Sequence, residues 1–231
     1  MDKLKLLWDC RMQFIEGLGI TLLISVGAVI IGFFIGVLVA TIRICPKNNI
    51  FIKILDKICG VYITVIRGTP VLVQLLIMAN VVFASLEFLD TNIIVPILSF
   101  GINSGAYMAE IIRGGIESID KGQMEAGRSL GLSWVTTMIK VVIPQAIKVV
   151  VPTIFNEIII MIKETSIVSY IVVLISGEQV RDLLAVADKQ GMSTGFYMEF
   201  IFTAALQYLA VVMLLTLVQK LVEKRFKKNE R

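Results

Sequence analysis

Five long stretches of apolar residues divide the chain, and each is long enough to cross a lipid bilayer as a helix. The first covers residues 17–42 and contains no charged side chain. At a rise of about 1.5 Å per residue it exceeds a hydrocarbon layer of about 30 Å. The other stretches cover residues 58–83, 93–112, 149–175 and 195–218. This pattern predicts an all-α membrane protein with five transmembrane helices.

The residues before the first stretch have a different periodicity. Apolar side chains recur at helical spacing, at Leu4, Leu7, Trp8, Met12 and Ile15. This spacing is typical of an amphipathic helix that lies on the membrane surface. We therefore expect one transmembrane domain over residues 1–231, with an interfacial helix at 1–16 and the five spans within 17–218.

The second stretch is interrupted by the sequence RGTP, Arg67 to Pro70. Proline removes a hydrogen bond from a helix interior, and glycine weakens the same turn. The second span is therefore predicted to be broken beside Arg67.

Basic residues in the connections predict the orientation. They cluster after the first, third and fifth stretches, whereas the other connections are poor in lysine and arginine. Because basic loops stay in the cytoplasm, the N-terminus is predicted outside and the C-terminus inside. The basic residues that decide this are Arg43, Lys47, Lys53, Lys57, Arg113, Lys121, Arg128, Lys140, Lys148, Lys220, Lys224, Arg225, Lys227, Lys228 and Arg231.

Composition excludes several classes of function. The chain is 57% hydrophobic, has no histidine, and carries three cysteines without a CxxC pair. Zinc sites and histidine-dependent catalysis are thereby excluded, and the G-x-x-x-x-G-K-[ST] phosphate loop is missing. The net charge of +4 comes from residues that flank the spans, so it does not indicate a nucleic-acid partner. We expect no catalytic residue, metal site or cofactor in this chain.

Several polar residues fall near the middle of the spans, where transporters commonly bind substrate. They are Arg67, Asn103, Ser104, Lys163, Glu164 and Gln207. Glu157 and Glu164 lie seven residues apart and share one helix face. Two interpretations remain open: Glu164 and Thr165 line a substrate pathway, or Arg67, Lys163 and Glu164 form a buried ion-pair network. Glu110 and Arg113 lie nearer the span end, and snorkelling to the interface explains them.

The loop 113–148 contains two short predicted helices. GQMEAGRSLG ends at Gly131, and SWVTTMIKVVI begins at a Ser133 cap and is stopped by Pro144. A rigid helix–turn–helix of this kind would transmit a push from outside the membrane to the spans.

This loop resembles the EAA motif of ABC importer permeases. Glu125-Ala126-Gly127 is followed by Gly131 and, after nine residues, by VVIP ending at Pro144, with glycine in place of the second alanine. The segments VIRGTPVLVQ, SGAYMAEIIRGGIESIDKGQ and KETSIVSY are similar to the polar amino-acid permeases of that class. The resemblance assigns coupling to Glu125, Ala126, Gly127, Gly131 and Pro144. The predicted substrate pathway comprises Arg67, Gln74, Asn103, Glu157, Glu164, Thr165 and Gln207.

The resemblance also implies partners and location. It implies a multi-pass permease in a prokaryotic cell membrane, paired as a homodimer and surrounded by lipid. Two ATPase subunits would bind ATP and Mg, and an extracytoplasmic solute-binding protein would deliver an amino acid. An acidic excess of Glu110, Glu157 and Glu164 over Arg67 and Lys163 favours a basic amino acid. The alternatives are an ion-gradient-driven secondary transporter and a membrane enzyme, although the lack of histidine argues against the enzyme.

Overall fold

The structure, a computed structural model, describes residues 3–83, 93–169 and 181–228. In chain order the helices are α1 (Lys3–Asp9), α2 (Arg11–Ile44), α3 (Ile50–Gly68), α4 (Val71–Ile77), α5 (Ile94–Glu117), α6 (Lys121–Ser129), α7 (Trp134–Thr137), α8 (Ile143–Glu164), α9 (Leu183–Thr194) and α10 (Tyr197–Lys228). A π-helical turn, Met78–Val82, follows α4, and another, Met138–Val142, joins α7 to α8.

Within the described residues, four helices are long and apolar enough to cross a membrane. They are Arg11–Ile44, Ile94–Glu117, Trp134–Ile167 and Tyr197–Phe226. A fifth span is formed by Ile50–Gly68 and Val71–Val82, which meet at a bend of 113°. The all-α architecture is therefore confirmed, and the five predicted spans are reached when the bent pair counts as one. The last residues of the predicted fourth span, 170–175, lie outside the described part of the chain.

The sequence predicted one surface helix at 1–16, but the structure divides the described part of this segment between two helices. The short α1 ends at Asp9, and α2 already begins at Arg11 and continues without interruption into the first span. Phe14 of α2 is buried and stacks on Phe200 of α10, with ring centroids 6.0 Å apart. The first turns of α2 are thus packed against the protein.

α2 and α5 are packed in parallel at very short distance. A Cβ atom added to Gly32 would lie 2.8 Å from Ser104 Cβ, and one added to Gly36 would lie 2.4 Å from Met108 Cβ. Since both contact positions advance together along the two helices, α2 and α5 run in the same direction. Two parallel spans need an intervening one, which the bent pair supplies. The small residues at 32 and 36 therefore serve packing within the chain.

The helix α9 is held between the ends of α2 and α10. Asp182 is fully buried and caps α9, because its Oδ1 accepts a hydrogen bond from the Ala185 backbone N–H at 3.0 Å. The Leu183 backbone N–H donates to Thr21 Oγ1 of α2 at 3.1 Å. Burial raises the pKa of Asp182 to about 7, against the smaller lowering effect of the backbone amides.

Pro144 does not stop a helix, contrary to the sequence prediction. It lies in the first turn of α8, and Trp134–Ile167 is one continuous helical segment. The π turn before it explains the difference, since the Ile143 backbone N–H donates to Met138 O, five residues back. The wider turn accommodates the proline ring and its missing donor. The second predicted loop helix is therefore the beginning of the fourth span.

Candidate functional site

The break between α3 and α4 is stabilised by one buried side chain. Thr69 and Pro70 are extended, so carbonyl groups at the end of α3 lose their helical partners. Gln74 Nε2 lies within hydrogen-bond distance of Ile66 O at 2.6 Å, Thr69 O at 2.9 Å and Thr69 Oγ1 at 2.7 Å. Gln74 thus supplies a hydrogen-bond donor to the carbonyl groups that lost their helical partners at the break. The predicted break of the second span is confirmed.

Gln74 also joins the break to α5 and, through it, to α8. Asn103 Nδ2 donates to Gln74 Oε1 at 2.7 Å, and both side chains are buried. The next residue, Ser104, donates to Glu157 Oε1 of α8 at 3.4 Å, and Glu157 is 6% exposed. We call Gln74, Asn103, Ser104 and Glu157 the midspan cluster. It brings together three of the residues predicted for the substrate pathway, and Ser104 with them.

Arg67 is not in the midspan cluster. Its Nη1 lies 3.5 Å from Glu110 Oε2, and its guanidinium lies over Tyr107, 5.5 Å from the ring centroid. Arg113 holds Glu110 with two hydrogen bonds, at 2.9 Å and 2.7 Å, and also pairs with Glu117. Glu110 and Arg113 thus form a charge network with Arg67, which was not predicted from the sequence.

The proposed ion-pair network of Arg67, Lys163 and Glu164 is also absent from the described residues. Glu164 is half-buried and Lys163 is exposed, and the charge opposite Arg67 is Glu110. Consecutive positions on α8 are about 100° apart, which prevents Lys163 and Glu164 from facing one partner. Thr165 is fully buried, and its hydroxyl donates to Ile162 O, so its side chain supports the helix end. Gln207 is half-buried on α10, and no described hydrogen bond joins it to the midspan cluster.

A polar stripe on α8 was missed by sequence reasoning. Thr153, Asn156 and Lys163 are exposed along one face of this span, and half-buried Ser166 continues it. Exposed polar groups at this depth are costly against lipid, so this face borders water or another subunit. Glu157 is next to Asn156, which places the midspan cluster at the edge of the stripe. The signal in the sequence is the seven-residue spacing of Asn156 and Lys163.

The loop between α5 and α8 has the predicted helix–turn–helix form. Gly131 has φ +83°, a left-handed conformation that glycine adopts without strain, and it ends the turn after α6. Ser133 caps α7, accepting a hydrogen bond from the Thr136 backbone N–H at 3.1 Å. Gly127 is buried against Thr137, so α6 and α7 pack directly on each other. The predicted turn and cap are confirmed.

Residues predicted for coupling and apolar side chains are both exposed on the outer surface of this loop. Glu125 and Ala126 are exposed on α6. Leu130 is 82% exposed, and Val135 and Ile139 are also exposed. Three apolar residues on a rigid surface loop are the composition expected of a protein interface. Gly127 is buried beneath this surface and Gly131 is exposed in the turn, whereas Pro144 lies within the fourth span, in the first turn of α8.

The chain is similar in sequence to known transport proteins. Residues 28–228 match the family model described as "binding-protein-dependent transport system inner membrane component". The chain is 37% identical over 216 residues to the arginine transport system permease protein ArtQ of Bacillus subtilis, covering 94% of this chain and 93% of that one. It is 38% identical over 213 residues to a putative glutamine transport system permease protein, GlnP, of Rickettsia typhi, covering 91% of each.

Solved structures show the same fold. One is described as the crystal structure of an amino acid ABC transporter with histidines, with a TM-score of 0.86 and 36% identity. The superposition covers 97% of this chain and 99% of that one. Another is the inward-facing MetNI methionine ABC transporter, with a TM-score of 0.78 over 98% of this chain and 99% of that one. Its sequence identity is 16%, so this similarity supports the fold alone.

Proposed function

Since the chain belongs to the family of binding-protein-dependent transport system inner membrane components, we propose that it is the permease subunit of an ATP-driven amino-acid importer. It is an integral membrane protein that works with ATPase subunits and a partner permease. ATP hydrolysis belongs to the separate ATPase. The single observation that carries the transport proposal is the midspan cluster at the broken second span, beside the polar stripe of α8.

The finer arrangement of the complex is part of the proposal. We expect two identical permeases, two ATPase subunits that bind ATP and Mg, and an extracytoplasmic solute-binding protein. The complex would lie in a prokaryotic cell membrane with the α5–α8 loop in the cytoplasm. The basic residues at the ends of the first, third and fifth spans support this orientation.

The loop around α6 and α7 is proposed as the contact with the ATPase. Its exposed apolar residues Leu130 and Val135 fit a docking surface, and Gly127 lets α6 pack tightly on the start of the fourth span. Because α7 continues through the π turn into α8, a displacement of the loop moves the helix that carries Glu157. ATP hydrolysis in the separate ATPase subunit would thus move the midspan cluster through one continuous helix.

The broken second span gives the pathway its form. Discontinuous helices at midmembrane depth leave backbone groups that bind polar solutes in transporters. Here Gln74 occupies the carbonyl groups at the break, and Asn103 holds Gln74 in place. We propose that Glu157, Asn103 and the exposed polar face of α8 meet the amino-acid substrate, while Arg67 stabilises the coupling-side half of the span.

A basic amino acid is the proposed substrate. Because Arg67 and Arg113 pair with Glu110 and Glu117, the charges left near the pathway are Glu157 and Glu164 against Lys163. An acidic excess at low dielectric favours a cationic ligand and opposes an anionic one. The similarity to a permease named for arginine transport supports this choice, although a relative named for glutamine is as similar.

Uptake into vesicles tests the proposal directly. The chain is co-reconstituted with the ATPase subunit of its own transport system, and labelled arginine, glutamine and glutamate are offered with and without ATP. We expect arginine uptake that depends on ATP and survives ionophores that collapse ion gradients. Uptake that needs the gradient and not the ATPase would show the secondary transporter instead. Uptake of glutamate alone would contradict the basic-substrate assignment.

A further inference from the structure

A cleft of about 820 Å³ runs along α3, and no residue of the midspan cluster lines it. Its charged lining consists of Arg43, Lys53, Asp56, Lys57, Arg67 and Glu110. Arg43 also lines a second cavity, between the end of α2 and the α6–α7 loop. The cleft therefore opens on the same side of the membrane as that loop.

The cleft has a surplus of positive charge. Asp56 is already paired with Lys47, whose Nζ lies 2.5 Å from Oδ2, and Glu110 is held by Arg113. Among the residues that the structure describes, neither Lys53 nor Lys57 forms an ion pair, and both are exposed. Arg43 is paired with the same carboxylate as Lys47, since its Nε lies 3.9 Å from Asp56 Oδ1. The two lysines without an ion pair favour an anionic ligand.

The two exposed faces of α3 indicate which anion fits. One face is polar and carries Lys53, Lys57 and Thr64. The neighbouring face is apolar and exposed at Val61 and Val65, which are 59% and 53% accessible. Both faces line the cleft. A passage for a hydrophilic amino acid would need polar walls throughout. A cleft with one polar and one apolar wall instead fits an amphiphile, which has a polar and an apolar part.

We propose that this cleft binds the phosphate-bearing headgroup of an anionic phospholipid. Lys53 and Lys57 contact the phosphate, and an acyl chain lies along Val61 and Val65. Basic pockets between transmembrane helices on the cytoplasmic side are suited to such headgroups. The bound lipid packs against α3 next to Arg67, at the coupling-side half of the broken span.

Lipid retention tests the proposal. The permease–ATPase complex is purified in micelles with equal amounts of phosphatidylglycerol and phosphatidylcholine, washed, and its retained lipids counted by native mass spectrometry. Wild type is expected to keep one phosphatidylglycerol per permease. The double variant Lys53→Gln/Lys57→Gln should lower the preference for phosphatidylglycerol about 30-fold, since each basic residue near the surface contributes about 1 kcal/mol.

Two controls separate the cleft from other sources of binding. Lys220→Gln/Arg225→Gln removes two exposed charges from the end of α10 on the same side and should keep the retained lipid. A wash with inorganic phosphate should release no more lipid than a chloride wash of equal ionic strength. Release by phosphate alone would identify free phosphate as the ligand and overturn the proposal.

Equal retention by Lys53→Gln/Lys57→Gln and wild type would also overturn it. A loss of amino-acid uptake by this variant, relative to wild type, in pure phosphatidylcholine vesicles would overturn it as well, because the polar face of α3 would then belong to the transport path. Failure of the uptake experiment with wild type would leave the lipid count unaffected. The two proposals are therefore distinguishable.

Discussion

The contact between Gly127 and Thr137 gives a quantitative prediction for the coupling loop. A Cβ atom at Gly127 would lie 2.3 Å from Thr137 Cγ2 and 2.8 Å from Oγ1. Carbon atoms normally approach to about 3.5–4.0 Å. Thr137 is fully buried, and its hydroxyl donates to Ser133 O at 3.0 Å, so rotation of the side chain would lose a hydrogen bond. We therefore expect Gly127→Ala to be overpacked.

Overpacking of this kind costs about 1–3 kcal/mol, which increases the locally opened population of α6 about 5-fold to 150-fold. Hydrogen exchange of the α6 amides in the reconstituted complex measures this population, and substrate-stimulated ATP hydrolysis measures coupling. Gly127→Ala should make the α6 amides exchange faster and should lower the stimulated ATP hydrolysis. Gly114→Ala is the matched control, because a Cβ atom there meets no atom within 4 Å.

A double-mutant cycle decides whether the contact is the cause. Thr137→Ala removes both the methyl and the hydroxyl that a new Cβ would meet, leaving only Thr137 Cβ at 3.1 Å. The double variant Gly127→Ala/Thr137→Ala should therefore exchange almost like Thr137→Ala alone. Effects that add to within about 0.5 kcal/mol would refute the packing argument, since noncontacting sites behave in that way.

Four further predictions concern the turn, the orientation, the substrate and a buried carboxyl. Gly131→Val should reduce coupling strongly while the protein still inserts, whereas Gly131→Asn should keep most of it, because asparagine tolerates the left-handed region; equal coupling in both variants would count against the turn. In a cysteine-free background, cysteine at exposed Ser129 should react with an impermeant thiol reagent only from inside and cysteine at exposed Met192 only from outside, and the reverse pattern would overturn the orientation. Glu157→Gln should lower ATPase stimulation by arginine at least tenfold more than stimulation by glutamine, and an equal loss would assign Glu157 a purely structural role. The pKa of Asp182 is about 7 in the fold and about 3.9 in an unfolded chain, so the fold favours the protonated acid. The melting temperature should therefore fall as pH rises from about 4 to 7. Asp182→Asn keeps the helix cap and should lose this pH dependence, and an unchanged pH profile in the variant would contradict the assignment.

The spans and the coupling loop were predictable because each depends on local sequence. An uncharged run such as 17–42 has few alternatives to a transmembrane helix, and the break at Pro70 follows from the missing backbone donor. The turn at Gly131 and the cap at Ser133 likewise need only neighbouring residues.

The partners of the buried charges were not predictable in the same way. Counting from span ends placed Arg67 at the depth of Glu164, but the 113° bend turns α4 away and leaves Arg67 beside Glu110. The helix stop expected at Pro144 was wrong for a related reason, since a π turn changes the hydrogen-bond pattern that makes proline a helix breaker. Both errors come from assuming regular α-helical geometry across an irregular segment.

The parallel contact of α2 and α5 has a consequence for biosynthesis. The glycine face of α2 finds its partner only when residues about 70 positions later have been synthesised, because Gly36 packs on Met108. At about 5–20 residues per second, α2 waits roughly 4–14 s in the membrane before α5 arrives. During that interval its small-residue face is open to any neighbouring helix. Co-expressed membrane proteins therefore compete for this face most effectively when translation pauses between the two spans.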